Sequence, residues 1–221
     1  MSIVVKARKT KEGIIIHELN NGEGKKYLAV RGGLSWPQMA EDSPGYFCIL
    51  GEEWIPAAQR VDQRGRLILL SEYETPDTRT SMDALFTRLI HNAALYLCEI
   101  FYTETEESQG EDYRGLVGDF QRFAYRKENT GRVEQAPWAD SPERGLRYIN
   151  DWNVSGLLEL TEGSIVREQL KMIGPEKVKQ VPQIFHAVNA LRFVICGFQH
   201  NKSNPTPKNW RREDLGSWKS L

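Results

Sequence analysis

Apolar positions in the first third of the chain fall in short β-branched or aromatic runs. These are Gly13–Glu18 (GIIIHE), Lys26–Arg31 (KYLAVR), Gly45–Gly51 (GYFCILG) and Gly65–Glu72 (GRLILLSE). Each is bounded by Gly, Pro, Asn or Asp, so four strands are predicted, the second closed by Gly32-Gly33. The period then changes. Leu85, Phe86, Leu89, Ala93, Tyr96 and Leu97 recur at helical spacing between Ser81 and Cys98, with Thr80 or Ser81 as cap and Asp83 in the first turn. A short strand, Glu99–Thr103, ends in the acidic run Glu104-Thr-Glu106-Glu107. A second helix is predicted over Glu111–Arg126 and a brief strand over Arg132–Ala136. Ser141-Pro142-Glu143 then starts a third helix, with proline at its first position. Leu157–Leu160 is a short apolar run, and Ser164–Ile173 a short helix stopped by Gly174-Pro175. A last, buried helix begins after Pro182 and carries Ile184, Ala187, Val188, Leu191, Val194, Ile195 and Phe198 on its apolar face.

Composition narrows the class without naming a chemistry. The 221 residues hold 29 Lys+Arg against 30 Asp+Glu, and 40% are hydrophobic. That balance suits one ordinary globular domain and excludes a strongly polycationic binder, though not a local basic face. Apolar stretches stay far below the ~20 residues of a membrane span. Lys6, Arg8 and Lys9 are followed by no apolar core, so neither a signal peptide nor a membrane partner is expected and the location expected is cytoplasmic. Cys48, Cys98 and Cys196 sit among apolar neighbours and read as buried free thiols. No C-x-x-C or H-x-x-x-H occurs, so structural zinc is not signalled. The P-loop, the dinucleotide fingerprint and the G-x-S-x-G elbow are also absent.

The element order (three strands, helix, strand, helix, closing helix) suits an RNase H-like fold among several α/β folds. The last third adds sequence detail: Ser141-Pro-Glu-Arg-Gly-Leu-Arg-Tyr-Ile149, Gly156-Leu-Leu-Glu-Leu160, Val166-Arg-Glu-Gln-Leu170 and Pro182-Gln-Ile-Phe-His-Ala-Val-Asn-Ala-Leu-Arg-Phe193. In that order these segments resemble the C-terminal half of the nuclease domain of viral terminase large subunits, enzymes that cut concatemeric DNA during genome packaging. The resemblance spans residues 26–198 and is specific over 141–198. It implies an RNase H-like mixed sheet flanked by helices, with strands 26–31 and 99–103 parallel neighbours. It also implies double-stranded DNA as partner, and a packaging ATPase or a portal or assembly protein supplied by another chain.

The resemblance further implies a pair of magnesium or manganese ions held by carboxylates from the first strand, the fourth strand and the last helix. One ion activates water and the other stabilises the leaving oxygen. Here the pattern departs. Arg31 falls at the first-strand position, and Phe185, His186 and Asn189 at the last-helix positions. Only Glu104 and Glu106 remain as catalytic and metal-binding candidates, with Glu72 or Glu74 as a further contributor. An arginine at a cation site repels it; two unit charges ~4 Å apart interact by about 4 kcal/mol at an effective dielectric of ~20. A degenerate metal site with weak or no cleavage is therefore expected. If the alignment is shifted, Glu41, Asp42 or Asp62 supply ligands instead.

Each of these residues also has a plainer reading. Glu104 and Glu106 can be a solvated acidic loop. His186 and Asn189, three apart on one helix face, either share a ligand or form a satisfied polar pair at the core rim. Arg31 either binds phosphate or pairs with Glu104. Residues 1–25 read as an extension with a short strand, 26–200 as the domain, and 201–221 as a basic tail. In the tail Lys202, Lys208, Arg211 and Arg212, beside Trp210 and Trp218, offer charge and stacking surface for DNA. Three classes remain: a terminase-type nuclease, a nucleic-acid-binding or assembly module on the same scaffold, and an unrelated α/β protein. Strand order separates the last from the others.

Overall fold

A computed structural model describes residues 5–9, 15–19, 24–37, 44–55, 65–75, 82–104, 112–126, 131–174, 177 and 181–200. The strands are β1 (Val5–Lys9), β2 (Ile15–Leu19), β3 (Lys26–Ser35), β4 (Tyr46–Glu53), β5 (Leu67–Glu74), β6 (Ile100–Thr103), β7 (Arg132–Gln135) and β8 (Leu158–Glu159). The helices are α1 (Met82–Tyr96), α2 (Asp112–Arg126), α3 (Pro142–Val154), α4 (Ile165–Lys171), α5 (Val181–Ile184) and α6 (His186–His200).

All eight strands join one mixed sheet. β3, β4 and β5 form an antiparallel meander. β6 lies parallel to β3 on its other edge, and β7 parallel to β6. The order β5-β4-β3-β6-β7, an antiparallel meander followed by two parallel strands, is the RNase H-like arrangement. The expected parallel contact between the strands at 26–31 and 99–103 is present, formed by Gly32 opposite Phe101 and Gly33 opposite Tyr102. β8 adds to the far edge, parallel to β5. The hairpin β1–β2 pairs with the first residues of β3, on the same edge as β6. β1 was not legible in the sequence: Val-Lys-Ala-Arg-Lys has no apolar run, and β2 supplies the hydrogen-bonding partner that makes it a strand.

Helices cover both faces, because alternate strand residues point to opposite sides. Phe47, Ile49 and Phe101 pack under α1 and α2 with Leu85, Phe86, Leu89 and Phe120. Tyr46, Cys48 and Leu50 pack under α3, α4 and α6 with Leu146, Leu170, Leu191 and Ile195. All three cysteines are buried free thiols, and burial pushes each thiol well up, Cys196 to about 12. Pro142 opens α3 as expected, although Ser141 makes no side-chain capping bond.

One boundary differs from expectation in a way that moves the candidate site. Gly32-Gly33 does not end β3; the strand runs on to Ser35. The glycines are there because neighbours come too close for a side chain. A Cβ on Gly32 would lie 2.1 Å from the Phe101 ring, and one on Gly33 would lie 2.0 Å from the Ala190 carbonyl oxygen. Gly33 marks close backbone approach of α6 and Gly32 makes room for the Phe101 ring of β6; neither marks a turn.

Candidate functional site

The longer β3 brings Ser35, not Arg31, level with the end of β6. From the pairs Gly32–Phe101 and Gly33–Tyr102 the register continues to Ser35 beside Glu104. On the other side Ser35 pairs with Tyr46, and Tyr46 with Glu74. Glu74, Tyr46, Ser35 and Glu104 thus form the last row of the sheet on the face covered by α6.

Glu104 is 4% exposed, and its oxygens are taken. Ser35 Oγ donates to Oε1 at 3.2 Å, Asn189 Nδ2 donates to the same oxygen at 3.4 Å, and Thr103 Oγ1 donates to Oε2 at 2.6 Å. Asn189 Nδ2 also reaches Ser35 Oγ at 3.3 Å. The Asn189 carbonyl oxygen accepts from Arg192 Nε at 2.6 Å, and Arg192 Nη1 donates to the Ala139 carbonyl at 2.7 Å. Burial pushes the Glu104 carboxyl above the usual carboxylate range, with its hydrogen bonds and Arg192 pulling the other way. Burial likewise brings Arg192 down to about 10.

The other end of the row is separate. Glu74 bonds His186 Nε2 at the start of α6. Gln169 of α4 caps that helix, its Oε1 accepting from Ala187 N at 3.0 Å and Val188 N at 3.4 Å. Glu72 caps α4 through Ile165 N at 3.0 Å and Val166 N at 3.5 Å, and accepts from Tyr46 Oη at 2.5 Å. His186 and Asn189 therefore serve two different carboxylates and do not share a ligand.

Arg31 does not pair with Glu104. It stands four residues before the strand end, donates Nη1 to the Gly197 carbonyl at 2.8 Å, and stacks on Phe198 at 5.0 Å. Its partner is the last turn of α6, where a cation meets the negative end of the helix, and not Glu104. Phe185 is buried core just before α6. Glu106, Glu41, Asp42, Asp62, Lys202, Lys208, Arg211 and Arg212 lie outside the described residues. Sequence reasoning missed Ser35, because Gly32-Gly33 read as a stop. It also missed Arg192, whose signal was a charged residue three positions after Asn189 on a buried helix.

Among the described residues, the donors gathered at the strand ends do not fit a two-ion clamp. Two such ions sit ~3.5–4 Å apart and draw on several anionic oxygens. Glu74 and Glu104 are three strand spacings apart, ~14 Å at ~4.8 Å each, and each is engaged by its own partner. Among the described residues no three His, Cys, Asp or Glu side chains converge as a metal set.

The Glu104 cluster carries a pH signature. Its carboxyl is raised in the folded state by desolvation, so the fold favours the protonated form more than the unfolded chain does. The associated stability is complete below the unfolded value of ~4.3 and is lost as pH rises through the folded value. Urea unfolding of wild type and Glu104→Gln from pH 4 upward should show the wild type losing ground relative to the variant as pH rises. A pH-independent difference would refute this.

Strand order, parallel β6 and the packing of α6 along β3 define an RNase H-like α/β protein. No family model and no curated protein matches the sequence. Among solved structures, the fowlpox virus Holliday junction resolvase is similar at a TM-score of 0.41 and 7% identity, over 78% of this chain and 99% of that one. The fold class rests on the strand order and register, not on that likeness. No helix among the described residues is long and apolar enough to cross a membrane.

Proposed function

We propose that this chain is a terminase-type nuclease scaffold that binds double-stranded DNA in viral genome packaging with little or no cleavage of its own. The observation that carries this reading is the donor set at the strand ends. Asn189 stands where the resemblance places a carboxylate, Ser35 closes the first strand of the meander beside it, and Glu104 is buried and hydrogen-bonded to both. A magnesium or manganese pair that binds weakly or not at all follows from that chemistry. Without it, both the activated water and the stabilised leaving group are lost. On this reading the motor, and any portal or assembly partner, belongs to other chains. DNA contact falls to basic side chains such as Lys202, Lys208, Arg211 and Arg212, so binding is modest and falls steeply with salt.

A supercoiled-plasmid assay with manganese tests this, using wild type and a Glu104→Ala, Glu106→Ala double variant. The expected result is no strong nicking by either, with DNA binding that weakens when residues 201–221 are removed. Robust nicking by the wild type, abolished in the double variant, would restore a working metal-dependent nuclease.

A further inference from the structure

The reading above leaves a buried carboxylate without a metal, and the structure supplies a different counter-charge. We propose that Arg192 is a resident cation for Glu104: its guanidinium, relayed by the Asn189 amide, occupies the charge-neutralising role that a divalent ion holds at a carboxylate cluster. The inference rests on the proposed reading of a strand end without a two-ion clamp, and it says what balances that strand end in its place.

Several features build a slot for this side chain. Arg192 is 2% exposed on a helix whose neighbouring residues are core. Its stem runs against Gly145 of α3, where a Cβ would lie 2.9 Å from the Arg192 Cβ. Its guanidinium lies 4.4 Å from the centre of the Phe193 ring and donates to Ala139 and Asn189. The Asn189 amide is polarised in one direction: its oxygen accepts from the cation, and its nitrogen donates to the Glu104 carboxylate. A chain of charge-assisted hydrogen bonds of this kind strengthens each member.

Cys196, Asp140 and Glu143 also lie within electrostatic reach of Arg192, and burial holds the Cys196 thiol up at about 12, so it is uncharged at neutral pH. Asp140 is exposed and Glu143 half-buried, so water screens their charge. Glu104 has no such recourse. Without the guanidinium its ionised form would be an uncompensated buried anion, so the carboxyl must either bear that cost or take up a proton, and both add to the loss of the contact itself.

The test is a double-mutant cycle on the full chain, read by thermal unfolding at neutral pH: wild type, Arg192→Met, Glu104→Gln and the double variant. Arg192→Met should lower the melting temperature by about 10 °C in the wild-type background, and by no more than about half of that when residue 104 is already Gln. Equal losses in both backgrounds would overturn the proposal, leaving Arg192 with a packing role alone. Arg192→Met failing to fold while the double variant folds is the supporting result in its strongest form. Failure of both counts against it. Manganese titrated into the wild type separates the two claims. A rise in its melting temperature would sink the reading of a clamp-free strand end, whatever the cycle shows.

Discussion

Gly33→Ala is expected to lower stability by about 3 kcal/mol, the upper end of the usual cost of overpacking. For a chain of this length that is a fall in melting temperature of about 6–12 °C. The new Cβ would lie 2.0 Å from the Ala190 carbonyl oxygen and 3.2 Å from the Val194 Cβ. The first of these is backbone in the middle of α6 and cannot turn aside as a flexible side chain can. Relief requires α6 to lift from β3, which loosens the contacts of Leu191, Val194 and Ile195 with the sheet. It also pulls Asn189 away from Ser35 and Glu104. Gly115 supplies the control. It lies exposed in α2 with nothing within 4 Å of the added atom, so alanine there should stabilise by ~0.8–1 kcal/mol through helix propensity. Thermal unfolding of both variants checks the pair, and a Gly33→Ala chain that melts with the wild type would show that α6 does not approach β3 so closely.

Glu72→Ala is expected to cost about 3 kcal/mol, although Glu72 touches no part of the Glu104 cluster. Its carboxylate takes the Tyr46 hydroxyl and the first two amides of α4. Tyr46 is fully buried, so truncation strands its hydroxyl and exposes the α4 amides to an empty space. Each buried group left without a partner costs ~1–3 kcal/mol. Hydrogen exchange should accelerate at Ile165 and Val166 before it does in α6. Uniform acceleration across the sheet, or none in α4, would contradict the capping role. The outcome also bears on function: a metal ligand would be felt in cation response, whereas this carboxylate should be felt in the order of α4.

The element types were legible because each has a local cause. β-Branched runs between turn residues announced β2 to β5, and the 3.6-residue recurrence of Leu85, Phe86, Leu89 and Ala93 announced α1. Buried thiols followed from their apolar neighbours. The element order, together with the resemblance over residues 141–198, supplied the RNase H-like arrangement, including the parallel pairing of β3 with β6. β1 was missed because an edge strand needs only a partner, not an apolar run of its own.

The site was another matter. Arg31 was set at the strand end that Ser35 occupies, and His186 was grouped with Asn189 although the two bond different carboxylates. The sequence by itself determined most of the strands and helices, and which carboxylates follow the strands, Glu72 and Glu74 in one run and Glu104 and Glu106 in another. Only the tertiary structure decided which side chains meet there. Pairing with β4 and β6 carries β3 through Gly32-Gly33 as a continuous strand, and that extension sets Ser35 beside Glu104. The antiparallel meander places Glu74 three strands away, beside His186. Arg192 counts as the counter-charge of Glu104 only because both are removed from water, and burial is a property of the packed chain and of no residue alone.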